Sequence, residues 1–353
     1  SLRHLRLLLV GLCAGAVALA QDTVDEALIT PPVPPQARKD TPARPAPGPH
    51  GDPDNHNADD ANTNDDGNNR ADEATPTKKP KKQFRRTWRV SKTLGSQLES
   101  DLSNNGRGDV SAWRTETRAG HDYQSRTHSY RLSIGYHYTD FEFSDFDYIS
   151  AGQGIDLTGF YSYQFHRSPW GLFAIGRVAY AGETGGSASL FDGQTLSGGG
   201  GVTFRFGRHA ALSLGALVTD SHERQPQVFP IIVPYYKVND RLVIKGEGGV
   251  GVFYDVFGDE RTEASLGLNF EADRYRLNRK TFPDDRRGEA VLENRSFRVK
   301  ARLRHFLTEE FFVAGSIHNA VFQRMEIRLD DREIATLDAD PAFGVALTAG
   351  LQF

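Results

Sequence analysis

Residues 343–353 read Phe343-Gly344-Val345-Ala346-Leu347-Thr348-Ala349-Gly350-Leu351-Gln352-Phe353, with an apolar residue at every odd position. Side chains alternate between the two faces of a strand, so this segment is a β-strand with one continuous oily face. Left unpaired at a sheet edge in water, such a strand invites aggregation. The expectation is a strand that closes a sheet and turns Phe343, Val345, Leu347, Leu351 and Phe353 toward lipid.

The same period of two recurs upstream. Tyr130, Leu132, Ile134, Tyr136 and Tyr138 alternate with Arg131, Ser133, Gly135, His137 and Thr139. Ala264, Leu266, Leu268 and Phe270 alternate with Glu263, Ser265, Asn269 and Glu271, and Phe297, Val299, Ala301 and Leu303 with Arg298, Lys300, Arg302 and Arg304. No helical periodicity of comparable quality appears. Short turns are expected at 167–170, 207–209, 239–241, 257–260 and 307–310, and a tight one at Gly248-Gly249. Longer connections are expected near 140–154, 182–194, 220–229, 276–291 and 324–340. Residues 86–353 therefore read as an all-β domain, a closed antiparallel barrel of about fourteen strands (12–14) with short turns at one end and longer loops at the other. The glycine run 198–201 marks a tight bend inside one strand.

Residues 1–85 have a different character. Arg3, His4 and Arg6 precede an apolar run from Leu7 to Val17 and then Ala18-Leu19-Ala20, the pattern of a signal peptide cut near residue 20. The run falls short of the ~20 apolar residues that a spanning helix needs. Residues 21–85 are Pro-rich, then acidic with eight carboxylates against Arg70 between Gly51 and Glu73, and then enter a basic block that runs from Lys78 to Arg89. Such a segment lacks the aliphatic residues for a core and reads as a disordered linker. Within it, residues 62–73 follow the oxygen-ligand spacing of a calcium loop, with Gly67 at the sixth position and Glu73 at the twelfth. They depart from that pattern in having Asn62 first. Cys13 is the only cysteine, so disulfides are not the source of stability.

Period two alone leaves open which face looks outward, because a soluble barrel would hide the apolar face. The export signal, the aromatic Phe353 and the aromatics near strand ends (Tyr136, Tyr138, Tyr163, Phe165, Trp170, Tyr180, Tyr254, Tyr275) favour the inverted arrangement with interfacial girdles. A mean hydropathy of -0.51 is compatible with it, since only alternate residues meet lipid. On these residues the chain resembles bacterial outer-membrane β-barrel proteins. The resemblance implies an outer-membrane location, with lipid and the barrel-assembly machinery as partners, the latter through the final strand. It also implies that residues 21–85 lie in the periplasm, available to a periplasmic or cell-wall partner.

The resemblance says little about activity. The sharpest constellation is Arg298, Lys300, Arg302 and Arg304 on one face of one strand. If its apolar face meets lipid, these cations form a lumen column about 20 Å long, suited to anions. Alternatively Glu263, Glu271 and Asp273 on the preceding strand pair with them as a ladder that fills the pore. His137, His166 and the pair Ser316/His318 are the residues from which a barrel hydrolase would be built, but no flanking hydrolase motif accompanies them. There is no cofactor fingerprint, no metal-ligand set in the barrel and no case for nucleic acid in an exported protein. The leading expectation is a passive pore or small-solute transporter, then a non-conducting binding barrel with a periplasmic tether, then a membrane enzyme.

Overall fold

The computed structural model describes residues 84–353 except 105–107, 146, 187–192, 222–223, 247–248, 282–286, 289 and 330–331. The signal peptide, the linker and the calcium-like spacing at 62–73 lie outside the described residues. The strands are β1 (Arg85–Asn104), β2 (Asp109–Gln124), β3 (His128–Phe143), β4 (Ala151–Gln164), β5 (Trp170–Glu183), β6 (Gln194–Phe206), β7 (Ala210–Ser221), β8 (Arg224–Lys237), β9 (Leu242–Gly246), β10 (Gly249–Asp255) and β11 (Thr262–Arg276). A two-residue hairpin, β12 (Lys280–Thr281) and β13 (Arg287–Gly288), precedes β14 (Val291–Phe306), β15 (Phe311–Leu329), β16 (Arg332–Ala339) and β17 (Ala342–Gln352). Each barrel strand pairs antiparallel with its sequence neighbour. β16 and β17 are one strand interrupted at Asp340-Pro341, as expected where a proline cannot donate to the ladder. Among the described residues this makes a closed antiparallel barrel of fourteen strands.

Closure falls to the segment that the sequence singled out. β17 pairs with β1 from Arg89↔Gln352 to Gln97↔Gly344, and the Phe353 N–H donates to the Trp88 carbonyl at 3.0 Å. At 11 residues β17 matches the length of a tilted membrane strand. Phe343, Val345, Leu347, Leu351 and Phe353 all point outward and are exposed. They join Trp88, Val90, Leu94, Leu132, Ile134, Tyr136, Leu266, Leu268, Val313 and Ile317 in an apolar belt around the closed sheet. A belt of that extent is a lipid-facing surface.

Turns at the Phe353 end form where expected. Asn239 Oδ1 accepts the Arg241 and Leu242 N–H groups at 2.8 Å each, and Asp255 accepts those of Gly258 and Glu260. Gly207 and Gly258 occupy the left-handed region at φ 73° and 75°. Aromatic contacts ring this end, among them Trp170–Phe204 at 4.6 Å and Tyr163–Phe165 at 5.2 Å. In the glycine run, an added Cβ at Gly199 or Gly201 would run into the Ala216 or Leu214 carbonyl, so the neighbouring backbone comes close there.

The distal end, away from Phe353, departs from expectation at two connections. Segment 220–229 is mostly strand, since β7 ends at Ser221 and β8 begins at Arg224. Segment 324–340 is also strand, the paired ends of β15 and β16. Its alternation has the opposite sense to the belt, with charges outward and Met325, Ile327 and Leu337 inward. These three are fully buried together with Tyr275, Leu277, Leu292 and Ile149 in a distal apolar core. Tyr275 therefore belongs to this core and not to an interfacial girdle. β11 also makes a parallel pairing with β5 at Arg276↔Gly182, although five strands separate them around the wall. Asn278 adds a backbone N–H to Glu183 Oε2 at 2.8 Å and an amide to the Thr184 carbonyl at 3.2 Å. The distal mouth is thus drawn together.

Candidate functional site

Below the distal core the lumen divides into two halves. Along β4–β9 the inward residues Phe160, Phe173, Ile175, Leu217, Ile231, Val233 and Tyr235 pack into a second apolar cluster. Along β1–β3, β11, β14, β15 and β17 the inward residues are polar and leave a cavity of about 200 Å³. Gly95 and its register partner Ala346 face this cavity, so small residues on two neighbouring strands help to leave the space. The rings of His318 and Phe312 occupy the room over Gly344 and Gly350.

The predicted column lies in this half. Arg298 and Lys300 line the cavity, and Arg302 and Arg304 continue the same inward face of β14 toward the Phe353 end. The column is ion-paired at its two ends and not in its middle among the described residues. Arg298 pairs with Glu271 at 2.6 Å and Arg304 with Glu263 at 3.2 Å. Lys300 and Arg302 stand opposite Gly267 and Ser265 on β11, and His318 and Ser316 on β15. None of these is a carboxylate, and among the described residues neither cation has an ion-pair partner. Register decides the outcome: the acids on β11 fall opposite or beside the ends of the column and skip its middle.

Asp273 is not part of that ladder. It reaches to Arg114 on β2 at 2.5 Å, although β14, β15, β17 and β1 lie between β11 and β2 around the wall. The pair therefore crosses the lumen. Arg118 adds contacts to Glu116 at 3.0 Å and Asp156 at 3.6 Å, and Asp122 is held between Arg89 and Arg131. Gln97 donates to Gln323 at 2.6 Å, and Gln323 to Asn294 at 3.1 Å. Arg114, Glu116 and Arg118 were missed by the sequence reading. The alternation Trp113-Arg114-Thr115-Glu116-Thr117-Arg118 carried the signal, because charged residues at every second position of a membrane strand face the lumen.

The histidines separate by location. His137 packs edge-on against Tyr275 across the lumen with ring centres 6.0 Å apart. His166 lies in the exposed turn between β4 and β5, not on a strand face. His318 lines the cavity, and its Nε2 has no hydrogen-bond partner among the described residues. Ser316 shares its face, and among the described residues no hydrogen bond joins it to His318 as a nucleophile to its base.

No protein-family model matches the sequence, and no curated protein sequence matches it. Among solved structures the chain is similar to an outer-membrane channel from Pseudomonas putida F1, with 10% identity over 78% of this chain and 99% of that one and a TM-score of 0.41. The P. putida toluene transporter TodX aligns at 7% identity over 76% of this chain and 89% of that one, with a TM-score of 0.37. The β domain of the Bordetella autotransporter BrkA aligns at 12% identity over 76% and 98%, with a TM-score of 0.32.

Proposed function

We propose that the barrel is a bacterial outer-membrane channel or transporter for small solutes, with a lumen that favours anions. The observation that carries this reading is the middle of the column, where Lys300 and Arg302 face the lumen without a carboxylate opposite either. Uncompensated cations on a water-accessible wall attract anions and repel cations. In this reading residues 1–20 direct export, residues 21–85 remain in the periplasm as a linker or tether, and the distal end faces the cell exterior. The β17 edge is the element offered to the assembly machinery during insertion. Hydrolase chemistry is left out, because Ser316 and His318 are not joined as nucleophile and base.

The test is ion conductance of the refolded barrel in planar bilayers under a potassium chloride gradient. The wild type is expected to open rarely, given its closed distal mouth, and to show an anion-selective reversal potential. Lys300→Gln with Arg302→Gln should move that potential toward zero. Arg114→Met with Asp273→Leu, which removes the cross-lumen pair without orphaning a charge, should raise the open fraction. Absence of conductance in both the wild type and this opened variant would instead favour a non-conducting binding barrel, the second reading that the closed mouth supports.

A further inference from the structure

Of the cations that line the cavity, one has no ion pair among the described residues. Three of the four cations lining it are matched: Arg114 by Asp273 at 2.5 Å, Arg118 by Glu116 at 3.0 Å and Arg298 by Glu271 at 2.6 Å. Lys300 is left over among the described residues. The Nε of Arg298 and Nε2 of His318 nearby are enclosed and have no hydrogen-bond partners among the described residues. Lys300 therefore gives this corner one unmatched positive charge, suited to one carboxylate.

The opposite side of the cavity has another chemistry. Lys300, His318, Gly344, Gln97, Ala112 and Phe141 are successive register partners across six adjacent strands. The row passes from a cation, past Gly344 with the His318 ring over it, to apolar carbon, and Val110 lies in the same apolar wall. A bare inorganic ion uses only the first end of this row. A cavity of about 200 Å³ is smaller than sites for drug-sized molecules and larger than a few waters require.

We propose that the cavity binds a small organic monocarboxylate, with its carboxylate at Lys300 and its apolar body against Ala112, Val110 and Phe141. This names the solute of the proposed channel and rests on that reading for its role in transport. Lys300 is the one unpaired cation of the lining and matches one carboxylate, and the apolar wall selects an alkyl or aromatic acid over acetate or chloride.

Equilibrium binding to the refolded full barrel in detergent tests the site without requiring conduction. Benzoate is the probe, followed by isothermal titration and by saturation-transfer NMR. It should bind saturably, with acetate and the uncharged benzyl alcohol each at least tenfold weaker. Lys300→Met should weaken benzoate at least tenfold, Lys300→Arg should keep it within threefold, and Lys237→Met, at the turn end of β8 where Lys237 pairs with Asp240 at 2.9 Å, should leave it unchanged. Val110→Thr should weaken benzoate several-fold and leave acetate where it was. Heat-modifiable migration verifies the fold of each variant. Benzoate binding no tighter than acetate, or equal in Lys300→Met and wild type, overturns the proposal. Anion-selective conductance without benzoate binding rejects the site and keeps the channel. Saturable binding without conductance keeps the site and rejects the channel.

Discussion

A single strand, β15, shows two opposite design rules along its length. Near Phe353 its outward residues are Val313 and Ile317 while Ser316 and His318 face inward. Beyond a register shift near Ala320, the outward residues are Arg324, Glu326 and Arg328 and the inward ones are Met325 and Ile327. β11 does the same, with Leu266 and Leu268 outward below and Arg274 and Arg276 outward above, where Tyr275 turns inward. The lower zone is built for lipid outside and polar groups within. The distal zone has the polarity of a soluble sheet, with water outside and an apolar core inside. The change of sense along each strand locates the edge of the bilayer, and the apolar core above it closes the mouth.

The largest effect should come from forcing one rule onto the other zone. Ile327 is fully buried in the distal core, and Ile327→Asp places a charge there without a partner, at a cost of about 3–5 kcal/mol. The distal zone should open while the lipid-embedded zone stays closed. Limited proteolysis should then cut between residues 277 and 337, with heat-modifiable migration retained. Ser316→Asp, inward in the lower zone, should change neither. If Ile327→Asp leaves the distal strands protected, they are not held by their apolar core.

The second test exchanges the outer surfaces. Leu347 is 70% exposed in the belt, and Leu347→Arg should cost about 2–4 kcal/mol when unfolding is followed in lipid vesicles. Thr336, on the outward face of β16, lies above the belt, and Thr336→Arg should stay within about 0.5 kcal/mol. Equal costs at the two sites would mean that the bilayer edge lies elsewhere.

Much of this division was legible in the chain. The lower zone followed from alternation alone, because lipid demands an apolar residue at each outward position, as Phe343 to Phe353 show. The distal strands were hidden by the same rule. Arg324, Glu326, Arg328 and Asp338 looked like a polar loop, yet Met325, Ile327 and Leu337 kept strict alternation between them. Of the site, the cations of β14 could be placed on one face. What could not be foreseen was register, which leaves Lys300 and Arg302 opposite glycine and serine and carries Asp273 across the lumen to Arg114. That pairing depends on the curvature of the whole wall, a property no single segment encodes.

The smallest effect compares two ion pairs, one from each zone. Arg324 and Asp338 meet at 2.7 Å on the outer surface of the distal zone, with 40% and 27% of their side chains exposed. Water screens such a pair, so a double-alanine cycle should give a coupling below about 1 kcal/mol that shrinks with salt. Arg298 and Glu271 meet at 2.6 Å in the lumen, where Arg298 is only 16% exposed. Their coupling should be larger, about 1–2 kcal/mol, and less sensitive to salt. Glu271 is the only carboxylate within ion-pair distance of Arg298 among the described residues. Removing Glu271 should therefore also strengthen anion selectivity, and removing Asp338 should leave it unchanged. A lumen pair as weak and as salt-sensitive as the surface pair would mean that bulk water fills this half of the barrel, and the electrostatic distinction between the zones would fall.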